Sequence, residues 1–230
     1  MKTDYPNETA LLEEGLVQLD IGALDKILPL LVKYIEEIEL FNAAYGLVKV
    51  TDRRELIVKH ILDSLAPLSI ILSLVDKRAK IADVGSGAGL PGIPLAVCMP
   101  DAEFTLIERM GRRTGFLRDV LALLGLPNVR VEETEMEKIR LPAVAGRFDL
   151  AVFRAFRPLE PAILKGLLRL TAPGGTLAAY KGRRESVEEE MAQVLKCAKE
   201  GTGPAIGSWE LLPLAVPFLE EERHLLLVKP

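Results

Sequence analysis

The spacing of apolar positions changes once along the chain, near residue 76. Before it the period is helical: Leu24, Ile27, Leu28, Leu31, Ile35 and Ile38 recur on one side, with Glu36, Glu37 and Glu39 on or near the other. Residues 1–75 therefore read as a helical extension packed on the rest. Pro29 either kinks that helix or marks its first turn. Residues 42–51 mix small, polar and glycine residues and read as a loop. Asp52 and Glu55 stand at capping-box spacing, which predicts a new helix from Asp52. On it Val58, Ile61, Leu62 and Leu65 make an apolar stripe, and His60, Asp63 and Ser64 share another face. Two readings of that face stay open: a solvated surface with a local His–Asp hydrogen bond, or part of a site.

From Lys80 onward short apolar runs alternate with amphipathic stretches, the pattern of an α/β domain with a mostly parallel sheet and helices on both faces. The runs fall at 80–84, 104–108, 129–133, 148–153 and 176–181. Helices are expected over 112–124, stopped by Gly125 and Pro127, after Pro158, and over 185–199. Pro173-Gly174-Gly175 predicts a turn before the fifth run. The last runs, 209–216 and 224–229, are joined by a loop too short for a parallel crossover, so they pair antiparallel. The expectation is a seven-stranded sheet over residues 76–230 with a reversed last strand.

Composition narrows this only slightly. The chain has 230 residues, 49% of them apolar, enough for a sizeable core. A net charge of −4 gives no global signal for nucleic acid. Cys98 and Cys197 are far apart and lack metal-ligand spacing, so a reducing compartment and no metal are expected. The longest apolar stretch, Leu65 to Val75, is too short to span a bilayer, and the N-terminus lacks a signal-peptide core. A soluble cytoplasmic monomer is the expectation.

The chemistry concentrates after the first strand, at Asp83-Val84-Gly85-Ser86-Gly87-Ala88-Gly89-Leu90-Pro91-Gly92. A buried strand breaks into glycines and then into a helix N-terminus, an arrangement that presents bare backbone amides to a ligand. The dinucleotide fingerprint needs a third glycine where Leu90 stands. The G-x-G-x-G spacing, with Asp83 before it, resembles motif I of the class I S-adenosylmethionine-dependent methyltransferases; an ordinary glycine-rich turn is the bland alternative. In an open parallel sheet ligands bind outside the carboxyl ends of the strands. That puts Gly85, Ser86, Gly87 and Leu90 at the first strand and Glu108 at the second, where a carboxylate suits ribose hydroxyls. The same edge should collect Arg109, Arg112, Arg113, Arg154, Arg157, Lys181, Arg183 and Arg184 into a positive rim, with the acidic runs 36–37, 188–190 and 220–222 elsewhere. The turn after the fourth strand reads Arg154-Ala155-Phe156-Arg157, not the Asn/Asp-Pro-Pro-aromatic motif used on exocyclic amines, and neither cysteine sits where a pyrimidine nucleophile would. A purine ring nitrogen, a hydroxyl or a small molecule remains as acceptor, and a non-catalytic cofactor-binding module remains as the alternative class.

Longer motifs narrow the resemblance. His60-Ile61-Leu62-Asp63-Ser64-Leu65, the Leu90-Pro91-Gly92-Ile93-Pro94 continuation, residues 113–117, Arg154-Ala155-Phe156 and Lys181-Gly182 resemble, over nearly the whole chain, the bacterial 16S ribosomal RNA guanine-N7 methyltransferases, the glucose-inhibited division protein B family. The resemblance implies the class I methyltransferase fold, S-adenosylmethionine as cofactor, 16S rRNA or the small subunit as partner, and N7 of guanine 527 in the 530 loop as the acceptor, without a general base. It implies that Asp83, Gly85, Ser86, Gly87, Leu90, Glu108, Met136, Glu137 and Arg154 hold the cofactor. His60, Asp63, Ser64, Arg112, Arg113, Arg157 and Lys181 are implied to face RNA, with Arg154 and Lys181 closest to the chemistry. Where the family usually has Arg-Ala-Glu, this chain carries Glu135-Met136-Glu137.

Overall fold

The computed structural model describes residues 6–139, 147–154 and 159–230, without the side chains of Pro6 and Glu137. Arg157, the Glu137 side chain, Ala155, Phe156 and Pro158 lie outside the described residues. The extension comprises α1 (Pro6–Gln18), α2 (Leu24–Tyr45), α3 (Arg53–Leu56), a π-helical turn (Ile57–Leu62), α4 (Asp63–Leu65) and α5 (Leu68–Leu74). After it come β1 (Lys80–Val84), α6 (Gly92–Cys98), β2 (Glu103–Glu108), α7 (Gly111–Leu124), β3 (Val129–Glu133) and a short 3-10 turn at Met136–Lys138. The chain closes with β4 (Phe148–Arg154), α8 (Pro161–Leu168), β5 (Thr171–Lys181), α9 (Arg184–Lys199), β6 (Ser208–Leu214) and β7 (Arg223–Lys229).

The seven strands form one sheet in the order β3-β2-β1-β4-β5-β7-β6. Pairings from β3 through β5 are parallel, and β7 runs antiparallel to both β5 and β6. The order reverses beside β1, between β2 and β4, which opens a crevice at the carboxyl ends of those strands. On one face Tyr34, Ile35, Ile61 and Leu65 of the extension share a core with Ile81, Ile93, Leu106 and Leu117. On the other, Leu164, Leu167, Val187 and Met191 of α8 and α9 cover Ala82, Ile107, Phe153 and Leu226.

Two boundaries and one detail of a cap differ from the sequence pattern. Helix α2 runs past Asn42 to Tyr45 and stops at Gly46, whose φ of 58° closes the last turn with its N–H on the Asn42 carbonyl. The Asn42 side chain instead accepts from the Val48 N–H and shapes the shortened loop. Asp52 caps the next helix by accepting from the Glu55 N–H at 2.8 Å, but Glu55 reaches back to the Thr51 N–H, one residue earlier than the usual box. Pro173-Gly174-Gly175 does not precede β5 but lies within it, shifting its register against β4 between Phe148 and Leu150. A Cβ on Gly175 would meet the Phe148 and Ala172 carbonyls at 2.9 Å, so the strand bulges there on a glycine. Among the described residues one helical run, Arg53–Leu74, is long and apolar enough to cross a membrane, but 61% of the tested stretch is buried in the core.

Candidate active site

The loop after β1 is shaped by backbone bonds and by positive φ at Gly85, Gly87 and Gly89 (72°, 59° and 95°). The Gly85 and Ser86 N–H groups donate to the Ile107 carbonyl at 2.8 and 3.1 Å, tying the loop to β2. Ser86 is buried and donates its hydroxyl to the Asp83 carbonyl, so its side chain holds the turn. Leu90 is buried as well and packs in the core beneath the loop. From the extension, Tyr34 donates to the Ala88 carbonyl at 2.7 Å. A helix that looks peripheral in sequence thus braces the loop from behind.

Asp83 is fully buried at the end of β1. One carboxylate oxygen accepts from the Gly92 N–H at 2.9 Å, and the other has no hydrogen-bond partner among the described residues. Burial pushes its pKa up to about 7, against the opposing pull of the Gly92 N–H and Arg154. A Cβ on Gly92 would stand 2.4 Å from Leu106 Cδ2 and 2.6 Å from Asp83 Oδ2, so a glycine is needed for this approach.

Glu108, at the end of β2, is buried and held by the backbone. Its Oε1 accepts from the N–H groups of Arg109 and Met110 at 2.8 and 2.9 Å, and its Oε2 from Gly87 at 2.9 Å. Arg113 Nη1 stands only loosely beside it, at 3.9 Å. Oε2 carries one donor and keeps acceptor capacity for a vicinal hydroxyl. A methyl group on Gly87 would have its nearest neighbours, Arg113 Nη1 and the Gly85 carbonyl, only at 3.9 Å, so the loop has an open face beside Glu108. An unpartnered Asp83 oxygen, a glycine-lined open face and a preset acceptor together fit a cofactor with a ribose. Met136 is buried, and a Cβ on Gly166 of α8 would meet its methyl at 3.0 Å, so its side chain fills core space between the 3-10 turn and α8.

A second constellation stands at the same edge. Arg154, at the end of β4, donates from Nη1 to the Lys59 carbonyl (3.0 Å) and Asp63 Oδ2 (2.9 Å), and from Nη2 to His60 Nδ1 (2.9 Å). A guanidinium has only donors, so His60 accepts through Nδ1. Burial and the adjacent Arg154 charge lower the His60 pKa to about 4. Ser64 is fully buried and donates to the His60 carbonyl, while Tyr180 donates to the Ser64 carbonyl at 2.8 Å. Asp63, at 4% exposure, takes a second arginine on Oδ1, Arg223 Nε at 3.2 Å. The solvated-face reading of this helix is therefore overturned: His60 and Asp63 do not bond to each other but jointly grip an arginine from β4. The π-helical turn sits at this grip.

Sequence reasoning missed Arg223, Tyr180 and Tyr34. The first was legible in principle: a reversed last strand begins at the carboxyl edge, and His224 pairs with Lys181 there.

The expected positive rim is largely neutralised. Lys181 donates to Glu190, Arg184 to Glu188, Lys59 lies 3.2 Å from Glu221, and Arg109 lies 3.8 Å from Glu135. The acidic runs 188–190 and 220–222 are thus at this edge, because α9 and the β6–β7 loop fold back over the strand ends. Arg113 donates to the Gly46 carbonyl at 3.4 Å, and Arg112 is exposed with no ion pair among the described residues.

The sheet order, the reversed β7 and the glycine loop at the switch point define the class I methyltransferase architecture. A solved S-adenosylmethionine-dependent methyltransferase from Aquifex aeolicus has this fold, with a TM-score of 0.53 at 19% identity, covering 84% of this chain and 97% of that one. The family model of the rRNA small subunit methyltransferase G (GidB) proteins matches residues 27–204, and the chain belongs to that family. Proteins called ribosomal RNA small subunit methyltransferase G are similar over nearly their full length. That of Treponema pallidum is 40% identical over 97% of this chain and 95% of its own. That of Treponema denticola is 37% identical, with 95% and 93% covered. The protein is accordingly an rRNA methyltransferase that uses S-adenosylmethionine.

Proposed function

We propose that the chain methylates N7 of guanine 527 in the 530 loop of 16S rRNA. The observation that carries this reading is the engagement of His60: its Nδ1 lone pair is held by Arg154 and its pKa is lowered to about 4. With that lone pair engaged His60 is a poor base, and guanine N7, which carries a free lone pair, asks for none.

S-adenosylmethionine supplies an electrophilic methyl group on a sulfonium. The N–H groups of Gly85, Gly87 and Leu90 are committed to Ile107, Glu108 and Ser86, so the loop would take the cofactor's ammonium group on its carbonyls, with Leu90 and Asp83 beneath, and Glu108 would hold its ribose. The turn at Met136 and Glu137 would border the adenine through backbone groups. Arg154 is fixed on three acceptors before any ligand arrives, so it would act beside the substrate as a preset charge and not as a free hydrogen-bond donor. Lys181 is held by Glu190 and would reach RNA by exchanging that partner. A ribosomal substrate places the protein in the cytoplasm.

The test is to incubate the protein with labelled S-adenosylmethionine and small subunits lacking the modification, then map the product by cleavage at N7-methylguanine. Cleavage at guanine 527 is expected. Label in 16S rRNA with no N7-methylguanine would overturn the assignment while leaving the family intact.

A further inference from the structure

We propose that the cleft between the π-helical turn, the end of β5 and the start of β7 is a phosphate subsite that takes one RNA phosphodiester near the methylated nucleotide, with Arg223 as its principal donor. The inference rests on the reading of RNA as substrate. The cleft measures about 370 Å³, and its wall carries Lys59, Arg154, Lys181 and Arg223 against one carboxylate, Asp63.

The charges on its floor do not balance. Each oxygen of Asp63 is bound by a different guanidinium, Arg154 on Oδ2 and Arg223 on Oδ1, so two positive charges share one negative charge. His60 supplies no compensation, and Lys181 is already matched by Glu190. Arg154 has both terminal nitrogens committed. Arg223 does not: Nε is on Asp63, Nη1 is on the Glu222 carbonyl, and Nη2 has no partner among the described residues. Its side chain is a quarter exposed, open to a ligand yet poorly hydrated. An unmatched cation in that position favours an anion over a neutral ligand. A guanidinium suits a tetrahedral phosphate because its planar fork offers parallel donors to two oxygens.

The rim of the cleft has the opposite character. Lys59 lies 3.2 Å from both Glu55 and Glu221, and those carboxylates repel a polyanion. The free positive charge is thereby confined to one point, so the site selects the position of a single phosphate instead of attracting RNA at large. The carboxylate of the cofactor is the other anion such a floor would hold, and the experiment separates the two.

Filter binding of wild type and Arg223→Gln to unmodified small subunits between 50 and 200 mM salt, with cofactor binding measured by calorimetry in parallel, tests the assignment. Arg223→Gln should weaken subunit binding about tenfold. It should also flatten the slope of log K against log salt by about 0.7 to 0.9, one phosphate's worth. Arg223→Lys should keep the slope, and cofactor affinity should not change in either variant. Unchanged subunit affinity and slope, or a loss confined to the cofactor, would overturn the subsite. If Arg223→Gln does not fold, arginine modification of the wild type decides: subunits should protect Arg223 from phenylglyoxal and cofactor should not, and equal reactivity with and without subunits refutes the idea. The subsite and the proposed function fail separately, because a wild type that binds subunits through Arg223 but leaves guanine N7 unmethylated overturns only the latter.

Discussion

Asp63→Asn removes the one negative charge that Arg154 and Arg223 share. Asp63 is 4% exposed, and the side chains of Arg154 and Arg223 are 13% and 25% exposed. Breaking a buried ion pair by deleting one partner costs about 3–5 kcal/mol, because the remaining charge is left uncompensated. Arg223 recovers some hydration at its exposed quarter, which sets the estimate at the lower end, about 3 kcal/mol. The asparagine keeps one acceptor but turns a donor towards the other guanidinium. For a chain of this length each kcal/mol moves the melting temperature by about 2–4 °C, so a drop of roughly 6–12 °C is expected by calorimetry or circular dichroism. The double variant Asp63→Asn/Arg223→Gln should lose less than the sum of the single losses by at least about 0.5 kcal/mol, since each removes the other's partner. A drop below about 2 °C, or strict additivity, would refute the view that this shared carboxylate joins the extension to β4 and β7.

Three further expectations follow from the same geometry. Tyr34→Phe strands the buried Ala88 carbonyl and should cost about 1–3 kcal/mol; cofactor affinity should fall with it, and an unchanged dissociation constant would mean the glycine loop holds its shape unaided. Gly92→Ala brings a methyl against Leu106 and Asp83 and should destabilise by about 1–3 kcal/mol in denaturant titration, with wild-type stability as the refuting result. Stability against pH should show two opposed slopes. Asp83 keeps its proton in the folded state up to about pH 7 and loses it near 3.8 when unfolded, so its share of stability declines as pH rises between those values. His60 stays neutral when folded down to about pH 4 but protonates below 6.5 when unfolded, so its share declines as pH falls through that window. Asp83→Asn should therefore make the protein more acid-sensitive between pH 4 and 6.5, and His60→Asn less so; the reverse order in pH-dependent unfolding would contradict both assignments.

The pattern of the chain alone determined the strand and helix succession, the antiparallel closing pair, the cap at Asp52 and the glycine loop with Glu108 at the next strand end. These are local properties: periodicity, turn chemistry and spacing act over a few residues or one βα unit. The helix of His60, Asp63 and Ser64 was ambiguous for the same reason, because its spacing fits a wet face as well as a buried one. Only the tertiary structure decided that Asp63 is buried beneath two arginines, one 91 and one 160 residues away in the chain. It also decided that Tyr34 braces the loop and that the acidic runs fold onto the cationic edge. Such pairings are set by sheet order, which brings the end of β4, the end of β5 and the start of the reversed β7 to one rim. Charge composition cannot report them, since a carboxylate in sequence carries no sign of which cation it will meet. The cofactor loop was legible because its function is written in backbone conformation, whereas the cleft beside it exists only where distant strand ends converge.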